Sequence, residues 1–567
     1  VQHATLPNSR PHQLFFTGDQ IYGDDVADPL LWAVTDAGEA LLGWAEDLPL
    51  GNEYKKPRDL RPGERSDIAR DYGGFTAMLV NQPEKAKSHL FSLGEYYAMY
   101  LFAWSQVLWP TSFPLGHEIR KNRKQAKLWN EEAHALEGFA RELWKVRRVL
   151  ANVPVYTICD DHDITDDWYL NREWCNRVLG KPLGRRTVQN GLLAYAVFQA
   201  WGNTPDQFMA GQSGEKLLQA AQNWSASGGR DKFASEEISK YVGIPPLDAK
   251  TGLPKLKLDG EVLILDRENS DGTSALHWHY TVRSFKHEVI VLDTRTWRGY
   301  PQGQDKAMEP PMLLCPTAFY QQIQQPLERS PSPPIPVTSS ALRAASPLQP
   351  RDRGKYDDSG IEATLVIVPT NLVSLSIIDV VQRLHLSQGK VFGSDVGDSW
   401  NFHEEAFTTL LAQLFKRRDR IVILSGDIHY SCAVRLNYWS RCHFGDTKLE
   451  PNAPEKPKVL AQLTASAFKN EEWKTNIIHT KLKSIFPEPS QDWVGWNEPP
   501  QLVEIQTTPE KVRILEVELP DQKPTIRQLN KRRGNEEIVW QIAVKNQQSL
   551  PDWRYRIDWI KREQAQE

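Results

Sequence analysis

The chain has 567 residues, of which 40% are hydrophobic, so it can bury one large core with additions or two to three cores of ordinary size. Its formal net charge of −4 excludes an overall positive field that would attract nucleic acid, and its five cysteines, none in a Cys-x-x-Cys pair, argue against a disulfide framework or a zinc ribbon. No apolar run reaches the roughly 18 residues that cross a bilayer, so no transmembrane segment is expected.

The first residues, Val1-Gln2-His3-Ala4, include neither an initiator methionine nor the basic and apolar regions of a signal peptide. We therefore expect the domain to be incomplete at its N-terminus. The small number of cysteines favours a reducing compartment, with the cytoplasm as the default, while a signal upstream of Val1 stays open.

Three buried strands are predicted, and each of them runs into a loop that carries aspartate. They are 12–17 before Gly18-Asp19, 153–158 before Asp160-Asp161-His162-Asp163, and 421–425 before Gly426-Asp427-Ile428-His429. Ligands in open α/β sheets bind beyond the carboxyl ends of the strands. We therefore expect these three loops to converge on one site.

Helices are predicted between and after the first two loops. Ser92 and Glu95 have the spacing of a capping box at the start of a helix that Pro110 ends. A second helix over 121–150 has an apolar face at Leu128, Leu136, Phe139, Leu143, Val146 and Leu150. We interpret 60–150 as a helical insertion, either in a layer that flanks the fold or over the site, and we favour plain packing without a function for its helices. Another buried helix is expected over 190–201.

Strands dominate the second half of the chain. They are predicted over 276–285, 287–293, 365–368 and 459–463, and over 502–506 and 512–519, which form a hairpin. The Pro- and Ser-rich stretch 325–360 is predicted to be a disordered surface insertion, and the amphipathic tail 545–559 to dock on the fold. Strands spread among helices favour an α/β layered fold.

Carboxylates and imidazoles on the three loops are ligands that divalent and trivalent metal ions use. Two ions about 3.5–4 Å apart can share a carboxylate, activate a water molecule and stabilise phosphoryl displacement. One such loop is weak support, because aspartate after a strand is common as a helix cap or turn residue. Three loops, two of which also carry histidine, favour a metal centre.

The three loops resemble the three sequence blocks of the PhoD-like (alkaline phosphatase D) metallophosphatases, a branch of the calcineurin-like phosphoesterase superfamily. The blocks are 18–24, 160–168 and 425–431, and a less sharp similarity through 292–298, 398–400 and 464–467 extends the resemblance over most of the chain. It implies a single domain over 1–567, built as a two-sheet β-sandwich flanked by helices. It also implies hydrolysis of a small phosphate mono- or diester by a metal-bound hydroxide at a dinuclear centre of Fe, Ca, Mn, Zn or Co.

The resemblance also implies a role for each loop residue. Asp19 is expected to bridge two metal ions, with further ligands from Tyr22, Asp161, Asp427 and His429, and His162 is expected to stabilise the transition state or protonate the leaving oxygen. The alternatives are a turn or cap carboxylate for Asp19, a hydrogen-bonded phenol for Tyr22, and a buried pair for Asp427 and His429.

Four further residues are expected to support this centre. Asp160 and Asp163 are predicted to hold the ligands or to cap the loop. Arg295 and Arg298 are candidates for binding the substrate phosphate through forked hydrogen bonds, and a structural ion pair, for example with Asp293, is the alternative.

The sequence departs from the family in one respect. An earlier block with a Ser-Cys pair or Asp-x-His is missing, so either the chain is truncated or the metal centre is depleted. A catalytically impaired scaffold that binds metal or a phosphorylated partner is therefore the first alternative to an enzyme. An unrelated α/β binding protein with structural aspartates is the second.

Overall fold

The computed structural model describes most of the first 430 residues and separate segments after them. The described residues are 11–267, 274–284, 286–329, 361–393, 396–428, 431–446, 457–465, 490–497, 502–508, 511–517, 525–528 and 551–560. The greater part of the predicted disordered insertion, 330–360, lies outside them. Within them, no helix has both the length and the apolar character that a membrane crossing requires.

The chain contains both helices and strands, which confirms the predicted α/β class. The strands are β1 (Leu14–Phe16), β2 (Leu48–Leu50), β3 (Glu53–Lys55), β4 (Val155–Thr157), β5 (Leu256–Asp259), β6 (Val262–Leu265), β7 (Tyr280–Arg283), β8 (His287–Val291), β9 (Ala363–Val368), β10 (Arg420–Ser425), β11 (Cys432–Ser440), β12 (Lys458–Thr464), β13 (Gln491–Trp496), β14 (Leu502–Thr508), β15 (Lys511–Val517), β16 (Thr525–Gln528) and β17 (Trp553–Trp559).

The α-helices lie mainly in the first half of the chain. They are α1 (Asp28–Leu42), α2 (Ser66–Ile68), α3 (Leu93–Trp104), α4 (Gly116–Ile119), α5 (Arg123–Leu150), α6 (Arg172–Leu179), α7 (Pro182–Tyr195), α8 (Trp201–Asn203), α9 (Ser213–Ala226), α10 (Lys232–Tyr241), α11 (Pro316–Phe319), α12 (Gln325–Glu328), α13 (Ser376–Ser387) and α14 (Glu404–Arg417).

The chain divides into two units. Unit 1 comprises 1–280, 292–318 and 368–403, and unit 2 comprises 281–291, 319–367 and 404–567. In unit 1, α1 and α3 pack through a buried core that includes Leu31 and Tyr96. The two helix backbones come close at Gly38 and Gly94, where a Cβ on either residue would overlap the other residue's backbone. Glycine is therefore required at this crossing.

Unit 2 is built on a nine-stranded mixed sheet with the order β16-β13-β17-β11-β12-β10-β9-β8-β7. The pairs β10–β12 and β8–β9 are parallel, and β11 is antiparallel to both β12 and β17. Strand β17 lies between β11 and β13, which confirms that the tail docks on the fold for the described residues 551–560. The predicted hairpin is also confirmed, because β14 pairs with β15 in antiparallel register.

The two long predicted helices are present, with differences at their ends and faces. Ser92 and Glu95 form the expected capping box, but α3 ends at Trp104, before the predicted end at Pro110. The predicted apolar face of α5 is wrong in part, because Leu128 and Phe139 are exposed. The buried side chains of α5 are Ala126, Trp129, Ala133 and Leu143, of which only Leu143 belonged to the predicted face. Two of the four are alanines, which a pattern of large apolar residues does not detect.

Glu95 anchors the start of α3 through a buried ion pair. Its carboxylate accepts hydrogen bonds from Arg65 at 2.8 Å, from the Thr35 hydroxyl at 2.7 Å, and from the backbone N–H groups of Phe91 and Ser92 at 2.9 and 3.1 Å. Both charged side chains are at most 1% exposed. Removing one of them would leave the other charge buried without its partner.

We therefore expect Glu95→Ala to lower the free energy of unfolding by about 3–5 kcal/mol, the usual cost of breaking a buried pair. Urea unfolding followed by circular dichroism measures this change. Glu131→Ala is the matched control, because Glu131 forms an exposed pair with Lys127 on α5, and such pairs contribute at most about 1 kcal/mol. Equal losses in the two variants would contradict the structural role of Glu95.

Candidate metal centre

The first two predicted loops begin at adjacent strand ends. Strands β1 and β4 are parallel, with Leu14 opposite Val155 and Phe16 opposite Thr157, so their carboxyl ends lie at the same edge. Gly18 has a φ of 129°, and a Cβ on it would overlap the Cβ of Asp160. A glycine at this position therefore lets the first loop lie directly against the second.

Asp163 joins these two loops. Its carboxylate accepts hydrogen bonds from the backbone N–H groups of Asp19 at 3.0 Å, Gln20 at 3.1 Å and Ile21 at 3.3 Å in the first loop, and of Asp160 at 2.9 Å in its own loop. Burial raises the pKa of Asp163 to about 7, although these N–H groups favour the ionised form. The carboxylate holds the backbone that carries Asp19 and Asp160.

Asp19 has features of a metal ligand. It adopts a left-handed backbone conformation with a φ of 51°. Among the described residues, its Oδ1 atom is buried and has no hydrogen-bond partner, and the same is true of Asp160 Oδ2. Burial raises the pKa of Asp19 well above its usual value, and Asp161 adds to the rise while His162 opposes it. A cation would satisfy these oxygens and favour the ionised carboxylate.

His162 is fixed by a carboxylate and an aromatic ring. Its Nδ1 lies 2.9 Å from Asp24 Oδ1, and its ring stacks on Tyr22 with 4.4 Å between the ring centroids. Burial opposes a charged imidazole, but Asp24 and Asp161 outweigh burial and hold the pKa of His162 well above its ordinary value. Because Nδ1 is bonded to Asp24, the other ring nitrogen, Nε2, is the atom that can act on a ligand.

Asp24 and Asp166 are the residues of this site to which the sequence analysis gave no role. Asp24 is 1% exposed and also accepts the backbone N–H of Asp166 at 3.0 Å. Burial would raise the pKa of Asp24, but the neighbouring His162 lowers it to about 2. Asp24 lies in the sequence block 18–24, and Asp166 lies in the block 160–168. Their positions in these blocks were the signal by which the sequence could have identified them as site residues.

Asp161, His162 and Asp166 form a group that can hold a metal ion. Each offers one ligand atom, and these atoms lie within 4.8 Å of one another. The two carboxylates suit Mn, Fe, Co or Zn, and His162 could join them as a ligand only in its neutral form. The partnerless oxygen of Asp19 is a further donor on the adjoining loop. The side chains of this site therefore fit a metal centre. Asp166 also forms an ion pair with Lys85 at 3.2 Å.

Arg295 and Arg298 are bound to carboxylates of unit 1. Arg295 forms ion pairs with Asp160, with Asp161 at 3.3 Å and with Asp398 at 2.6 Å, and Arg298 pairs with the other oxygen of Asp398. Both arginines are 1% exposed. These contacts favour the ion-pair alternative over phosphate binding, with Asp398 and Asp160 in place of Asp293 as the partners.

The third predicted loop belongs to unit 2 and follows β10. Asp427 is half-buried and has a φ of 66°, the same left-handed conformation as Asp19 in the first loop. His429 lies outside the described residues. The assignment of both residues as metal ligands therefore stays a prediction from the sequence pattern.

Comparisons with known proteins give one distant structural match. No protein-family model matches the chain, and no curated protein matches it. A solved structure described as "Structure of PhoD" is similar to it with a TM-score of 0.30 and 12% sequence identity, over 80% of this chain and 51% of that chain. The chain thus spans about half the length of that protein, and the similarity is too low to assign a role to any residue.

Proposed function

We propose that this protein is a metal-dependent hydrolase of phosphate mono- or diesters. The observation that carries the proposal is the group of Asp161, His162 and Asp166, whose ligand atoms lie within 4.8 Å of one another next to the partnerless buried oxygen of Asp19. A buried carboxylate oxygen without a partner, such as that of Asp19, raises the energy of the folded state unless a proton or cation neutralises it. A metal centre would account for this oxygen and for the gathering of three aspartates on adjoining loops.

The proposed ligands come from the three strand-end loops. Asp19, Asp161 and Asp166 would hold two metal ions, and the family resemblance adds Tyr22, Asp427 and His429. When bound, ions such as Fe, Ca, Mn, Zn or Co would activate water and neutralise charge on the phosphate. The proposal includes the two-sheet β-sandwich and the single domain over 1–567 that the resemblance implies.

His162 is proposed to act on the leaving oxygen. The carboxylates of Asp24 and Asp161 raise the pKa of its imidazole well above the ordinary value, which favours the protonated form. The hydrogen bond from Nδ1 to Asp24 leaves Nε2 as the nitrogen that can act on a substrate, so in this proposal His162 is a proton donor and not a metal ligand. A protonated Nε2 would donate its proton to the oxygen that leaves the phosphorus. Asp24 and Asp163 are then positioning residues, and Arg295 is one as well, because it fixes Asp160 and Asp161.

The same contacts favour one alternative, a metallophosphatase-like scaffold without turnover. Arg295 pairs with Asp161, and Lys85 pairs with Asp166. The positive charges of Arg295 and Lys85 offset part of the negative charge that would attract a metal ion. The site would therefore bind metal more weakly than the same aspartates would without these ion pairs. Such a scaffold would bind a metal ion or a phosphorylated partner and leave the ester intact.

Hydrolysis assays distinguish the two functions. We expect the purified chain to hydrolyse p-nitrophenyl phosphate or its bis ester with at least one of Mn, Ca, Fe, Co and Zn, and to lose this activity on chelation. Activity should return when the same ion is added back. Metal binding without turnover of either ester under any of these conditions would favour the scaffold. The absence of any bound or rebindable ion would contradict the hydrolase and a metal-binding scaffold.

A further inference from the structure

Unit 1 contains a large groove whose lining has more basic than acidic residues. Its volume is about 1210 Å³, and helices α7 and α10 and strand β5 contribute to its walls. Nine of its lining residues are basic and five are acidic, in a chain whose formal net charge is −4. None of the residues assigned to the candidate metal centre lines it. The groove is therefore a separate, locally positive site.

Some of these basic residues are neutralised by neighbouring carboxylates. Arg186 pairs with Glu46 at 3.0 Å, and Lys240 pairs with Glu237 at 3.4 Å. Arg185 differs from them, because no ion pair or hydrogen bond to its side chain is found in the described part of the chain, and its Nη1 atom is buried. Glu236, an exposed residue of the same groove, attracts the Arg185 guanidinium electrostatically but forms no hydrogen bond or ion pair with it. The Nη1 of Arg185 is covered by protein, so Nε and Nη2 are the donors that an anion in the groove could reach.

Arg267 is a second buried guanidinium at this groove. It is 9% exposed, and its Nη1 and Nη2 atoms donate to the backbone carbonyls of Thr296 and Leu276 at 3.0 Å each. Its Nε has no hydrogen-bond partner among the described residues. Backbone carbonyls satisfy donors but do not cancel a full positive charge. Arg267 therefore adds to the positive potential of the groove.

The beginning of α7 adds to the same potential. Lys181 occupies the N-cap position without a side-chain cap, Pro182 follows it, and both residues line the groove. The first N–H groups of a helix have no partners within the helix, and the helix dipole makes this end partly positive. The start of this 14-residue helix lines the same groove as Arg185 and Arg267, and this combination favours negative ligands.

We propose that this groove binds a small molecule with two or more anionic groups, phosphates or carboxylates. The planar forks of arginine match the oxygens of both groups. The volume is close to that of sites for small molecules, which range up to about 1,000 Å³. The unpaired charges of Arg185 and Arg267 lie in one groove with a helix end, so a ligand with several charges would engage more of them than a single ion would.

Isothermal titration calorimetry of the full chain tests this proposal with inorganic tripolyphosphate and with citrate, in the presence of EDTA. We expect saturable binding of at least one of them that weakens with added salt. Arg185→Gln should weaken it about tenfold, the effect of losing one charge-assisted contact. Arg141→Gln on α5, an exposed arginine outside the groove, should leave it unchanged.

The thermal midpoint separates a binding role from a structural one. Loss of an unpaired buried charge should not lower the midpoint of Arg185→Gln. Should this variant unfold, the double variant Arg230→Gln, Lys232→Gln, with both changes on exposed lining residues, must weaken binding instead. Absence of saturable binding of both probes, or equal weakening in Arg141→Gln, would overturn the proposal. Asp19→Asn should bind the probes like the unaltered chain, so the result does not depend on the metal centre.

Discussion

Asp19→Asn is expected to reduce metal-dependent hydrolysis by about 10³-fold or more, because a metal ion contributes several kcal/mol to stabilising the transition state. The buried Oδ1 of Asp19 lacks a hydrogen-bond partner among the described residues, and a neutral amide in its place would bind a cation far more weakly. Asparagine is the informative replacement, because it tolerates the left-handed conformation at this position, where alanine would add backbone strain.

Metal analysis accompanies this assay. The variant should retain less metal than the unaltered chain after the same reconstitution, with an unchanged circular dichroism spectrum. Asp206→Asn is the matched control, because Asp206 is exposed and lies outside the site, and it should keep both metal and activity. Full activity in Asp19→Asn would refute the role of Asp19 as a metal ligand. Full metal content together with lost activity would mean that Asp19 takes part in the reaction but is not needed to hold the metal ions.

The strand-end loops could be predicted because their signal is local in sequence. An apolar run followed by Gly-Asp or Asp-Asp-His marks a buried strand and a polar loop, and β1, β4 and β10 lie within the three predicted runs or differ from them by one residue. The parallel pairing of β1 with β4, which was not predicted, places the first two loops at one edge, as expected for loops that converge. The capping box at Ser92 was predictable for the same local reason.

The partners of the charged residues could not be predicted, because they are set by tertiary structure. Asp24 meets His162 across 138 positions, and Arg295 meets Asp160 across 135 and Asp398 across 103. A sequence pattern identifies Arg295 as a residue that follows a strand. It cannot distinguish an arginine that binds a substrate phosphate from an arginine that forms an ion pair with an aspartate. Burial decides between the two, and burial depends on the whole packed unit.

His162→Asn is expected to lower kcat by about 10²–10⁴-fold, the usual contribution of a general acid or base. The Nδ1 of His162 is bonded to Asp24, so Nε2 is the atom proposed to give its proton to the leaving oxygen. Asparagine cannot supply that proton. His134→Asn on α5 is the matched control, because His134 is exposed and outside the site. It should leave kcat unchanged.

The dependence on leaving group separates proton donation from metal binding. A nitrophenolate leaves without much help from an acid, whereas an alkoxide needs a proton, so His162→Asn should impair an alkyl phosphate more than p-nitrophenyl phosphate. Metal content should stay near that of the unaltered chain, because the aspartates would still hold the ions. Equal impairment of both esters together with loss of metal would instead make His162 a ligand, a role that its place beside Asp161 and Asp166 also permits.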